Sequence, residues 1–174
     1  MRARATDRRR RLLLSAGGGL LLSAALLRRA GAADIVEIEM GGSADGQSVW
    51  FRPRGLLIQP GQTVRWTNRQ AGNAHSSTAY HPDNHKPLRI PQGAKSWNSE
   101  LLLPNQSFEV KFELPGVYDY FCMPHEMAGM VGRIVVGHAD PKARPYAATD
   151  AQLPAVAVEN FPDVASILKS KRVD

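Results

Sequence analysis

The run Phe108-Glu109-Val110-Lys111-Phe112-Glu113-Leu114 alternates apolar and charged residues without a break, and Pro115-Gly116 turns it straight into Val117-Tyr118-Asp119-Tyr120-Phe121. A period of two sends successive side chains to opposite faces of a strand and does not match the spacing of a helix. The same device occurs upstream. Pro60-Gly61 leads into Thr63-Val64-Arg65-Trp66-Thr67-Asn68, which exposes Arg65 if Val64 and Trp66 point inward. Ile35 to Met40, closed by Gly41-Gly42, reads as a further short strand, as do Val49 to Phe51, Leu56 to Ile58 and Gly132 to Val136. Strands divided by Pro-Gly turns, with almost no helical period, predict an all-β chain folded as a β-sandwich.

The pattern lapses between Ser76 and Gln106, where Pro82, Pro87, Pro91 and Pro104 stand among Asn, Gly and Ser. This predicts a long Pro-rich loop insertion, and such loops in compact domains tend to be functional or disordered. Beyond Gly137 the composition shifts to Ala and Pro, and Phe161-Pro162-Asp163 precedes Val164 to Lys171, a short helix with Asp163 as its cap. The expected organisation is an export segment over 1–32, a sandwich domain over 33–139 and a C-terminal extension over 140–174. Three roles are open to that extension: wrapping the sandwich, docking a partner, or forming a loosely packed tail.

The formal charge of +6 is misleading as a pointer to nucleic acid. Residues 1–32 hold eight Arg and one Asp, for +7, which leaves −1 on the rest of the chain. Arg8 to Arg11, the apolar stretch Leu12 to Leu27 and the small residues Ala30-Gly31-Ala32 form the three regions of an export signal. Arg9-Arg10-Arg11-Leu12-Leu13 also resembles the core of a twin-arginine signal, with Arg8 where Ser or Thr is usual and no Lys after Leu13. The apolar stretch is short for a membrane span, so the mature form is expected to be soluble, near Ala33 onward, in a periplasm or equivalent exported space.

In that compartment a single cysteine is unusual, because exported proteins generally use cysteines in pairs. Cys122 stands three residues before His125 and eight before Met130 on a Gly-containing turn between two strand-like runs. A lone cysteine is ordinarily a small buried hydrophobe, and a lone methionine fills gaps. A thiolate, an imidazole and a thioether on one loop are instead three of the four donors of an electron-transfer copper centre, which needs a second imidazole from elsewhere. Metal ligation would also explain why the thiol stands alone. Of the remaining histidines, His75 closely follows a core strand. His81 and His85 lie in the Pro-rich region and His138 past the last strand, where exposure is expected.

The run Tyr118 to Val136 resembles the copper loop and final strand of plastocyanin and its relatives pseudoazurin and amicyanin, and Pro60 to Asn68 followed by His75 is similar to the upstream half of the same fold. The likeness spans roughly residues 34 to 137. It implies a cupredoxin-like Greek-key β-sandwich holding one type 1 copper ion, with His75, Cys122 and His125 as close ligands and Met130 as the long axial one. Met127 is a rival thioether, but Gly129-Met130 matches the plastocyanin loop. Three departures stand out. Ser76 occupies the position after the first histidine, where the family commonly has an Asn that braces the cysteine loop. Phe121 replaces the tyrosine that gives plastocyanin a second electron exit, and plastocyanin's acidic docking patches have no counterpart.

The resulting expectation is an exported one-electron carrier whose redox partner proteins dock transiently near His125. An alternative is periplasmic copper handling, in which Met123, Met127 and Met130 recruit Cu(I) and His81 with His85 form a second, weaker site. Copper enzymes of this fold need additional His clusters and further domains, so an enzyme is not expected. Nucleic acid and stable membrane insertion are not expected either.

Overall fold

In the structure, a computed structural model describing residues 35–45 and 47–174, the alternating runs become strands of two packed sheets. The reading of residues 1–32 as an export segment lies outside the described residues. The first sheet has the order β2-β1-β4-β6, from β1 (Ile35–Gly42), β2 (Val49–Arg52), β4 (Thr63–Asn68) and β6 (Ser107–Lys111). The second has the order β5-β7-β8-β3-β9, from β3 (Gly55–Ile58), β5 (Thr78–Ala79), β7 (Gly116–Phe121), β8 (Val131–Val136) and β9 (Arg172–Val173). The chain crosses between sheets repeatedly, and the crossings leave β1 parallel to β4 and β3 parallel to β8.

Period-two patterning sorts side chains as expected. Val64 and Trp66 are fully buried, while Arg65 reaches outward between Glu109 and Glu37 at 2.7 and 2.9 Å. Trp66 lies among Trp97, Phe112 and Tyr120, with ring centroids 6.0, 6.3 and 5.3 Å away. The alternating run ends as a strand at Lys111 instead of Leu114. There the N–H of Phe112 goes to Gln62 O, and Gly61 N donates to Phe112 O, so the Pro60-Gly61 turn takes over the pairing.

Residues 76–106 are more ordered than a Pro-rich insertion suggests. Thr78 and Ala79 pair with Phe121 and Tyr120, and on their other side isolated bridges join His75 to Leu102 and Thr78 to Asn98. The segment therefore serves as an edge of the second sheet.

The extension after Gly137 wraps the sandwich. Helix α1 (Ala155–Asn160), helix α2 (Val164–Ser170) and β9 lie along the second sheet. Asp163 caps α2 as expected, accepting from Ser166 N at 2.7 Å, whereas α1 and β9 have no counterpart in the sequence reading. β8 is buried along its whole length because both its faces are covered. Ile134 and Val136 enter the sandwich core, Val131 meets Ala157 and Phe161, and Val135 meets Val164 and Ile167. A continuous apolar run is the expected signature of a strand covered on both sides.

Candidate metal centre

β7 delivers Cys122 at its end, and the short 3-10 helix Met123–Ala128 returns the chain to β8. Pro124 suits the start of that helix, where an N–H has no partner in any case. Gly129 closes it at φ 76, in the left-handed region, and a Cβ there would collide with Asn160 of α1. Backbone bonds then lock the loop: Cys122 N donates to Met130 O at 3.0 Å, and Met130 N donates to His125 O at 3.1 Å. Cysteine, histidine and methionine thus belong to one small closed frame.

His75 arrives from a different part of the sandwich. It follows β4 by a short turn and is fixed by reciprocal backbone bonds with Leu102, at 3.2 and 2.7 Å. The Nδ1 atom of His75 lies 3.7 Å from Cys122 Sγ, and Nδ1 of His125 lies 3.3 Å from it. The two imidazole centroids are 4.8 Å apart, and the three donor atoms all lie within 4.8 Å of one another. Cys122 and His75 are fully buried, Met130 nearly so, and His125 is half-buried.

This spacing suits one ion. Bonds of about 2.0 Å to nitrogen and about 2.3 Å to sulfur in a trigonal plane would separate N from S by roughly 3.7 Å. Burial also sets the protonation. It lowers the pKa of His75 to about 4, with the neighbouring His125 adding to the effect, and it lowers that of His125 too. It pushes the Cys122 thiol up to about 11 against the opposing Ser76 hydrogen bonds. At neutral pH the metal-free site therefore holds two neutral imidazoles and a thiol.

The Ser76 departure is compensated. Its backbone N–H points at Cys122 Sγ at 3.2 Å, and its hydroxyl accepts from Met123 N at 2.7 Å. A serine hydroxyl thereby braces the cysteine loop from the His75 segment. A second brace comes from Glu126, buried beside His125, which accepts from Tyr80 Oη at 2.9 Å and pairs with Lys86. Tyr80 also packs against Phe121, the two rings tilted by 40° with centroids 4.6 Å apart. These residues have no motif spacing in the sequence, so their roles emerge only from the fold.

The other histidines stay outside the cluster. His138 and His85 are exposed, as expected. His81 is less exposed than the loop setting suggests, because its Nδ1 accepts from Asp83 N at 3.2 Å and caps a short turn. Neither His81 nor His85 joins the grouped donors. Met127 is 76% exposed, whereas Met130 is 1% exposed within the main core cluster.

A family model described as copper binding proteins of the plastocyanin/azurin family matches residues 37–137. Chloroplastic plastocyanin from Tetradesmus obliquus is 34% identical over 105 residues, covering 60% of this chain and 69% of that protein. Plastocyanin from Scenedesmus fuscus is 36% identical over 105 residues, covering 58% of this chain and 98% of its own. Among solved structures, a Sinorhizobium pseudoazurin superposes with a TM-score of 0.53 at 29% identity, covering 79% of this chain and 98% of that one. With the family segment spanning more than half of its length, the chain belongs to the plastocyanin/azurin family of copper-binding proteins: it is a cupredoxin, and its cofactor is copper.

Proposed function

We propose that this cupredoxin is an exported one-electron carrier, with one type 1 copper held closely by His75, Cys122 and His125 and weakly by Met130. The observation that carries the reading is the buried triangle of donors, in which the Nδ1 atoms of two imidazoles from separate segments face one thiol sulfur at 3.7 and 3.3 Å. Sulfur with two imidazoles, joined by a thioether on the same loop, is the donor set of electron-transfer copper, and bound copper supplies a one-electron Cu(I)/Cu(II) couple. The carboxylate-poor donor set and the buried Cys122 fit that ion.

The chain's own residues supply rigidity and access. His75 and Leu102 are bonded reciprocally, and the Cys122 loop is closed by its own backbone and by Ser76, so the donors are held before any ion arrives. Cys122 would give up its proton to hold copper as a thiolate. Burial of Cys122 and Met130 keeps water from the sulfur donors. His125 is the donor nearest solvent, flanked by exposed Met123, Pro124 and Met127. An apolar rim of this kind suits a small, transient redox partner interface, and we place partner docking there.

The N-terminal signal pattern supports export, and no helix among the described residues is long and apolar enough to cross a membrane. The visible spectrum of the copper(II)-loaded mature protein tests the whole reading. Strong thiolate-to-copper absorption is expected, lost in Cys122→Ala and retained in His81→Ala and His85→Ala. A colourless copper(II) complex would refute it. A transfer assay against a weak chelator separates carriage, which requires tight retention, from copper handling, which requires rapid release.

A further inference from the structure

We infer that Gln70 is a positioning residue that fixes the tautomer of His75, so that Nδ1 and not Nε2 is left as the free donor facing Cys122. The inference rests on the reading of His75 as a metal donor, but its central observation is independent of any ion. The outer nitrogen of His75, Nε2, lies 2.7 Å from Gln70 Oε1. An imidazole with one proton donates from one nitrogen and accepts at the other, and its partner decides which.

The surrounding bonds settle the direction by elimination. The Gln70 amide nitrogen Nε2 meets the carbonyl oxygen of Ser43 at 3.1 Å, and a carbonyl can only accept. That end of the amide is therefore the NH2 group, and the end toward His75 is the oxygen. In that orientation Asn73 Nδ2 also donates to the same Oε1, at 3.1 Å. Gln70 Oε1 cannot donate, so the proton must sit on Nε2 of His75, and Nδ1 carries the lone pair 3.7 Å from the sulfur.

Gln70 is itself held from behind. Its backbone N–H donates to Asn68 Oδ1 at 2.9 Å, and Asn68 turns its Nδ2 to the carbonyls of Asn73 and Leu102, both at 2.8 Å. Asn68 is fully buried at the end of β4, so the chain of bonds runs from the sheet to the imidazole. An acceptor on the outer nitrogen orients a metal-bound imidazole and strengthens it as a donor.

Nitrogen-15 NMR of the full mature chain, metal-free at pH 7, tests this directly, with the reduction potential of the copper-loaded chain as a second readout. Wild type should show His75 with its proton on Nε2 and in slow exchange. Gln70→Leu should mix the tautomers and speed exchange of that proton about tenfold, the loss of one hydrogen bond's worth of preference, and should raise the potential. Gln70→Glu keeps the acceptor for His75 while losing the donor to Ser43. It should retain the wild-type tautomer and lower the potential. A proton on Nδ1 in wild type would overturn the proposal, as would Gln70→Leu matching wild type. Equal behaviour of the two variants would reduce Gln70 to a loop brace and also overturn it. Tautomer control by Gln70 without copper uptake would support its role and refute the copper reading alone.

Discussion

Ser76 braces the cysteine loop at two points: its hydroxyl accepts from Met123 N at 2.7 Å, and its backbone N–H reaches the Cys122 sulfur at 3.2 Å. Ser76→Ala should lower the stability of the metal-free protein by about 1 kcal/mol, the net worth of one such bond, read from the urea midpoint. It should also loosen the cysteine loop, visible as an altered copper absorption band. His75 gives the protein a pH dependence of definite sign. Unfolded, its imidazole takes a proton near pH 6.5, whereas burial delays this to about pH 4 in the folded chain. Stability of the metal-free form should therefore be fully present above about pH 6.5 and fall as the pH drops toward 4. The loss from His75 is on the order of 3 kcal/mol, with His125 acting in the same direction. A stability profile flat between those pH values would contradict the burial of His75.

At the scale of the element, β7 and β8 act as a pair that presents the site. In their register Tyr120 lies opposite Gly132, and a Cβ on Gly132 would run into the Tyr120 ring. Gly132→Ala should cost about 1 to 3 kcal/mol, as overpacked cores do. It should also disturb the copper spectrum, because Tyr120 precedes the site by two residues and Gly132 follows Met130 by two. Unchanged thermal stability in this variant would show that the strand pair yields more easily than the packing implies. The strands themselves were legible from alternation and Pro-Gly turns. β5 was not, since Thr78 and Ala79 have no period of their own and become a strand only by pairing with Phe121 and Tyr120. Helix α1 was equally hidden. A six-residue helix carries too little periodicity to announce itself, and it is held by burial of Ala157 against Val131 and Phe161.

At the scale of the described residues as a whole, the C-terminal extension is tied to the sandwich by a buried charge cluster that no motif signals. Asp119 on β7 accepts from Arg133 on β8 at 2.7 Å and from Arg89 at 3.0 Å, with Asp119 fully buried and Arg89 1% exposed. Arg89 continues to Tyr146 O, Thr149 and Asp150, Arg133 continues to Pro162 O, and the Phe161 ring lies under both guanidiniums at 4.9 and 5.1 Å. The C-terminal segment is thus clamped to the sandwich by charges that would be costly unpaired. Asp119→Asn should destabilise the fold by about 3 to 5 kcal/mol, the cost of leaving the buried Arg133 without its anion. It should also speed proteolytic trimming of the tail before Phe161, which the intact protein should resist. A tail trimmed equally fast in both would deny the clamp. By itself the sequence determined the strand patterning and the placing of Cys122, His125 and Met130 on one loop, because both depend on local spacing: two residues for a pleated face, three and eight along the loop. The tertiary structure alone decided how His75, its partner Gln70 and the tail meet that loop. Those contacts join residues far apart in the chain, and only the packing of one sheet on another brings them within bonding distance.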